Sequence, residues 1–231
     1  MKVGISLHNV THFCTISLLA VLSLTGCGGG GSSSGGISAT ASTTPQILFA
    51  GTPMSSFTPL TVSGGTAPYT FSYTGTLPTG LIFDANKGVV SGTPSASYAA
   101  ENLTFSVKDA NNASASTTST VSFAVFGTGF VSQGGLIWMP LTSSLHTYDQ
   151  AVTLCSSTIN GLSGWRLPTE QELVTLANSG AMNGQGWSIG SDLWSSTPNG
   201  VGSYFIVYLP NPSILGTAIV SNTQAATCVY H

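Results

Sequence analysis

Few side chains in this 231-residue chain could do chemistry. It has one arginine, Arg166, and of its four histidines only His146 and His231 lie beyond the first thirteen residues. A guanidinium can hold a carboxylate or sulfate through two parallel hydrogen bonds, which makes Arg166 a candidate ligand anchor. Set between Trp165 and Leu167, it equally suits a partly buried pair with Glu170 or Glu172. Gly186-Trp187-Ser188-Ile189-Gly190 has the G-x-S-x-G spacing of a nucleophile elbow, and Asp192 and His231 follow it. An elbow needs an apolar strand before the serine and a helix after it. Here a polar glycine loop precedes the serine and Asp192 follows only four residues later, so the match is read as chance and no catalytic residue is assigned. Trp138, Trp165, Trp187 and Trp194 could stack on sugar rings, although large aromatics usually fill cores. Trp187, beside Asn183-Gly184-Gln185-Gly186, is the one expected at the surface. Arg166, Trp187 and Asp192 are therefore the candidate ligand-binding residues, gathered on the surface of residues 180–191. Asp84, Asp109, Asn111 and Asn112 offer oxygen atoms that could hold calcium between modules. The same residues also make ordinary Asx turns, so no metal or cofactor is assigned.

The elements that would position these groups differ between the two halves of the chain. Charged residues make up only 5% of the sequence, and Gly, Ser and Thr are abundant. That composition favours strands and turns over helical bundles. Four basic against seven acidic residues leave no basic patch for nucleic acid. From Pro45 to Phe126 the pattern has period two: Tyr69, Phe71, Tyr73, then Leu103, Phe105, Val107, then Val121, Phe123, Val125. Turn clusters separate these runs, and short strands with regular turn signals indicate a β-sandwich. Beyond residue 127 two helices are expected. Tyr148 to Cys155 places Tyr148, Val152 and Cys155 on one face. The second helix starts after Pro168, where Thr169 and Glu172 form a T-x-x-E capping box. Glu170 and Glu172 place negative charge at the positive end of its dipole. A strand from Leu136 to Leu141 and returning strands at 204–209, 214–220 and 225–230 complete an α+β module.

The first residues read as an export signal, with Lys2 followed by a short apolar run from Ile16 to Leu24. Leu24-Thr25-Gly26-Cys27 resembles the bacterial lipobox. The resemblance implies cleavage before Cys27, lipid on its sulfur, and a membrane-anchored envelope protein. Gly28, where an aspartate would favour inner-membrane retention, points to the outer membrane. Residues 27–44 read as a Gly/Ser/Thr tether, with a reach of roughly 20–25 Å. Cys155 and Cys228 remain in the exported chain, in a compartment where disulfides persist.

Gly64-Gly65-Thr66-Ala67-Pro68-Tyr69, Leu77-Pro78-Thr79-Gly80-Leu81, Gly88-Val89-Val90-Ser91-Gly92-Thr93-Pro94 and Phe105-Ser106-Val107-Lys108-Asp109-Ala110 stand in the order of a He_PIG-like Ig domain of bacterial surface proteins. The stretch 45–126 resembles that family. Residues 127–231 resemble the Lcl C-terminal-like family through Gly135-Leu136-Ile137-Trp138, Ala151 to Cys155, Trp165 to Leu173, Trp194 to Thr197, and Cys228-Val229. This second resemblance implies a C-type-lectin-like fold and a Cys155–Cys228 disulfide. The Arg-Leu-Pro-Thr-Glu core also resembles formylglycine-generating enzymes and sulfoxide synthases. Those enzymes need a reactive copper-binding cysteine pair or three iron-binding histidines, and two histidines cannot supply the latter.

The expected organisation is a signal peptide over 1–26, a lipidated tether over 27–44, an all-β Ig-like sandwich over 45–126 and an α+β C-type-lectin-like domain over 127–231. The two folded parts are expected to be independent, joined near Gly127-Thr128-Gly129. The expected function is a non-catalytic envelope module making adhesive contact with a glycan or a surface protein. The alternative is a structural envelope protein that packs against a partner.

Overall fold

Asp109 shows how this chain uses its few charges. It is buried, and its carboxylate accepts from the backbone N–H groups of Thr66 (3.0 Å), Asn111 (2.9 Å) and Ala113 (2.8 Å). One side chain thus fixes two turns that backbone pairing alone would leave unsatisfied. The computed structural model describes residues 36–231 apart from 117–119, 188–189 and 214. Cys27 and Ser188, and with them the lipidation and elbow readings, lie outside the described residues.

Ten strands form the first half: β1 (Ser38–Ala41), β2 (Gln46–Phe49), β3 (Met54–Phe57), β4 (Leu60–Ser63), β5 (Thr70–Thr74), β6 (Leu81–Asp84), β7 (Val89–Gly92), β8 (Tyr98–Lys108), β9 (Ser114–Ser116) and β10 (Val121–Phe126). The main sheet runs β2-β10-β8-β5, with β9 also on β8. A β3-β7-β6 sheet and a β1-β4 ribbon accompany it. The period-two reading holds in β8 and β10, where Leu103, Phe105, Val107, Val121 and Phe123 are buried together with Val90 and Leu60. Tyr73, Phe83 and Phe105 lock the centre, with ring centroids 5.2–5.8 Å apart. Gly80 and Gly92 face each other so closely that a Cβ on Gly92 would strike the Gly80 carbonyl oxygen, so only glycine fits there.

The tether expected over 27–44 is shorter than its composition implies. Ser38–Ala41 is a strand, paired antiparallel with β4 in the register Ala39↔Val62 and Ala41↔Leu60. Ala41 is buried. Low-complexity composition argued for a loop, but alternating alanines have one small apolar face, and β4 supplies its partner.

The second half contains β11 (Val131–Gln133), β12 (Leu136–Trp138), α1 (Tyr148–Cys155), α2 (Glu170–Ser179), β13 (Asp192–Pro198), β14 (Ser203–Tyr208), β15 (Leu215–Ile219) and β16 (Val229–Tyr230). Two three-stranded sheets, β11-β12-β16 and β13-β14-β15, carry the helices. Both helices begin as the sequence indicates. Thr169 and Glu172 close a full capping box on α2, and Thr147 with Gln150 does the same on α1. The end of the chain ties the module together. Val229 exchanges backbone hydrogen bonds with Arg166, Ala225 bonds Asp192 and Trp194, and Cys228 bonds Met139. The Cys155–Cys228 disulfide then joins α1 to this segment across 73 residues. By chain entropy that closure contributes about 4 kcal/mol.

The junction at Gly127–Gly129 is packed rather than open, and residues 36–231 belong to one compact unit. Ala124 and Phe126 of β10 share a core cluster with Ala151, Cys155, Trp165 and Trp194 of the second half. Phe126 lies tilted against Phe130 at 4.7 Å and meets Trp165 edge-on at 5.8 Å. The β8/β10 ladder slips by one residue between Phe123↔Glu101 and Val125↔Tyr98, a bulge that leaves Ala100 unpaired there. The tight turn Ile159-Asn160-Gly161-Leu162 fills the gap. The Ala100 N–H donates to the Asn160 carbonyl (2.9 Å), and the Asn160 amide Nδ2 donates to the Val125 carbonyl (3.2 Å). Both central residues of the turn have positive φ, 52° and 76°, as a type I′ Asn-Gly turn requires. A Cβ on Gly161 would collide with the Ala100 backbone.

Asp109→Ala orphans three backbone donors in the first half. Its urea midpoint is expected to fall by the equivalent of about 2–3 kcal/mol. Asp109→Asn, which keeps one acceptor oxygen, should recover part of that loss, and a neutral effect from Asp109→Ala would contradict this role.

Candidate functional site

Arg166 sits at the mouth of a groove of about 390 Å³ beside α2. Its position follows from the main chain. The Arg166 N–H and C=O pair with Val229, so the residue is held in a one-residue bridge just before the Pro168 turn. Its guanidinium grips Glu172 with both nitrogens, Nη1 to Oε2 at 2.8 Å and Nη2 to Oε1 at 2.6 Å, and also bonds the Leu167 carbonyl. The same Glu172 Oε2 accepts from the Thr169 N–H at 2.8 Å. The Arg166 bond and the Thr169 N–H hold the Glu172 carboxyl below the usual range, and Glu172 in turn raises Arg166. The arginine is therefore an arm of the helix cap, with its side chain about half exposed (47%).

The remaining walls come from separate elements. Gln133 ends β11, and Gly134 and Gly135, both at positive φ (64° and 77°), turn the chain directly into β12. Gln171 and Thr175 stand one turn apart on α2, with Thr175 Oγ1 donating to the Gln171 carbonyl at 2.8 Å. Leu136, Trp138 and Leu176 form the floor, and His231 closes one side. A larger depression of about 640 Å³ lies at the junction of the halves, lined mostly by small residues and main chain with Gln185 at its rim. It gathers no charged side chain, so the Arg166 groove is the better candidate.

Only one of the three candidate ligand residues reaches this groove. Trp187, expected at the surface, is 92% buried, since only 8% of it is exposed. Its indole N–H donates to the Gly129 carbonyl at 2.6 Å, and its ring packs with Met182, Leu176 and Leu209. A Gly/Asn-rich loop suggested exposure, but the aromatic surface gains more by filling the space under that loop. Asp192 begins β13, pairs with Tyr208 and lends its carbonyl to the Ala225 N–H, away from the groove walls. All four tryptophans are buried, and each indole N–H finds a backbone carbonyl: Gln133, Ile159, Gly129 and His146. The calcium-ligand candidates are likewise engaged as turn residues. Asp84 accepts from the N–H groups of Asn86 and Lys87, and Asp109 is committed as described above. Sequence reasoning missed Gln133, Gln171 and Thr175. The Gly134-Gly135 pair marked the turn that places Gln133, but nothing in a single sequence brings it opposite α2.

Residues 34–124 match the family "Putative Ig domain". Its match begins at residue 34, in accord with β1 being part of the sandwich. Comparison with curated proteins returns no match. Among solved structures, the chain is similar to the Yersinia pseudotuberculosis adhesin InvE, at 16% identity over 84% of this chain and 70% of that one, with a TM-score of 0.36. It is also similar to intimin-190 from enteropathogenic E. coli, at 22% identity over 74% of this chain and 83% of that one, TM-score 0.31. A Bacteroides fragilis protein described as a candidate alpha-galactosidase/melibiase matches at 16% identity over 66% of this chain and 27% of that one, TM-score 0.30.

Glu172→Gln removes the ion pair with Arg166 but keeps an oxygen that can accept from the Thr169 N–H, as Gln150 does on α1. At neutral pH it is expected to cost about 0.5–1 kcal/mol of unfolding free energy. Because the folded Glu172 pKa lies below its ordinary 4.5, the wild-type advantage is complete above that value and disappears as pH falls through the depressed one. Urea midpoints of the two proteins, read from neutral pH down to about pH 3, should therefore converge. A gap that stays constant across this range would contradict the assignment.

Proposed function

We propose that this protein is a non-catalytic contact module of the bacterial envelope, lipid-anchored through Cys27. In this reading the Ig-like half is the spacer and the α+β half presents the surface that adheres to a glycan or a partner protein. The observation that carries it is the packed junction. Phe126, Phe130, Trp165 and the Asn160-Gly161 turn join the two halves into one body. A stiff connection suits a protein that must hold a contact surface away from its anchor, where a loose hinge would lower the effective concentration of that surface.

The commitment of the reactive side chains supports the same reading. Cys155 and Cys228 are spent on a disulfide, Arg166 and Glu172 on a helix cap, and Asp109 on turns. Among the described residues, no helix is long and apolar enough to cross a membrane. The lipid on Cys27 is then the proposed means of attachment, with the outer membrane the proposed location. Calcium is not required in this account.

Two experiments test it. Cys27→Ser should abolish incorporation of labelled palmitate and release the protein from the membrane fraction; unchanged labelling would refute the anchor. Cells displaying the full chain should be retained on at least one surface of an immobilised glycan and matrix-protein panel, with retention unaffected by a calcium chelator. No retention anywhere, together with hydrolase turnover that is lost in Ser188→Ala, would replace the contact reading with an enzymatic one.

A further inference from the structure

We propose that the groove between β11 and the start of α2 is a binding site for an uncharged, hydroxyl-rich ligand, a neutral saccharide unit. The proposal rests on the contact-module reading and adds to it a place and a ligand class. Arg166 and Glu172 both line the groove, but they neutralise each other through two short hydrogen bonds, 2.8 and 2.6 Å, in a fork-to-fork geometry. A charged ligand would have to compete with an internal partner already in good geometry. A neutral ligand can instead accept from the half-exposed Arg166 side chain without breaking the pair.

The other groups point the same way. Gln133, at the end of β11, and Gln171, on α2, both line the groove, and Thr175 lies one helical turn beyond Gln171. An amide carries both donors and acceptors in one plane, which is the complement of adjacent hydroxyl groups that each donate and accept. Leu136, Trp138 and Leu176 also line the groove but are almost wholly buried, so they close it from the core side and recognition falls to the polar groups. The volume of about 390 Å³ lies at the small end of the range for small-ligand sites, about 300–1,000 Å³. The walls are also firm. Gln133 is fixed by a two-glycine turn, Gln171 lies on a capped helix, and Trp138 is pinned by its indole bond to the Gln133 carbonyl at 3.2 Å. Little ordering is left for binding to cost.

The test uses the full mature chain and a panel of free neutral hexoses, N-acetylhexosamines and their disaccharides. Binding is read by saturation transfer to the sugar and by shifts of the glutamine side-chain amide signals. The expected result is weak, saturable binding of at least one member, with Kd on the order of 1 mM. It should perturb the Gln133 and Gln171 amides and change little with salt. Gln133→Ala and Gln171→Ala should each weaken it about three- to tenfold, with the unfolding midpoint unchanged. Absence of binding across the panel would overturn the proposal. So would binding that maps elsewhere, or that appears only with sulfated sugars and fades with salt. If cells displaying Gln171→Ala adhere as well as wild type, the groove assignment fails while the contact-module reading stands.

Discussion

One bulge in the Ig-like sheet creates a need that the sandwich cannot meet alone. Where the β8/β10 register slips, Ala100 loses its ladder partner and the Val125 carbonyl turns outward. Buried backbone groups left unpaired cost about 1–3 kcal/mol each. Asn160 satisfies both, donating from its side chain and accepting through its own carbonyl, and it can do so only because the Asn160-Gly161 turn adopts the left-handed backbone. The aromatic cluster of Phe126, Phe130 and Trp165 then excludes water around that plug. Trp165 directly precedes Arg166, so the residue that closes the junction also sets the start of the cap and of the groove.

The second recurring device is the pinned tryptophan. A chain with so few charges has little ion-pair chemistry available to hold its loops. It uses indole N–H groups instead, each large ring filling core and each N–H fastening one loop carbonyl. The four fastened carbonyls belong to the β11–β12 turn, the Asn-Gly turn, the junction and the entry to α1. Three of those segments border either the groove or the junction.

Much of the fold was legible because its local signals were strong and agreed with one another. The period-two runs in β8 and β10 and the T-x-x-E box at Thr169 are patterns written within a few consecutive residues, even though the strands that pair with β8 and β10 lie far along the chain. Tyr148–Cys155 was bounded correctly for the same reason. What was not legible depended on partners distant in sequence. β1 looked like tether because its mate, β4, could not be seen. Trp187 looked exposed because its loop is polar, whereas the space it fills is defined by α2 and the Gly129 carbonyl. The Ile159-Asn160-Gly161-Leu162 turn went unread in the sequence, since its importance lies in what it docks against. Of the candidate site, Arg166 was legible by type, and its pairing with Glu172 was among the alternatives. The glutamines opposite it were not, since their juxtaposition is a product of topology.

The central claim is that the two halves are one cooperative body held by this plug. All four tryptophans lie beyond residue 127, so their fluorescence reports the second half alone, while amide exchange at Phe123 and Val125 reports the first. Denaturant unfolding of the full chain, followed by both probes, is the most direct measurement. The account predicts coincident transitions in the wild type that separate in Gly161→Val, where the added side chain strikes the Ala100 backbone. Separate transitions already present in the wild type, unmoved by that substitution, would contradict it.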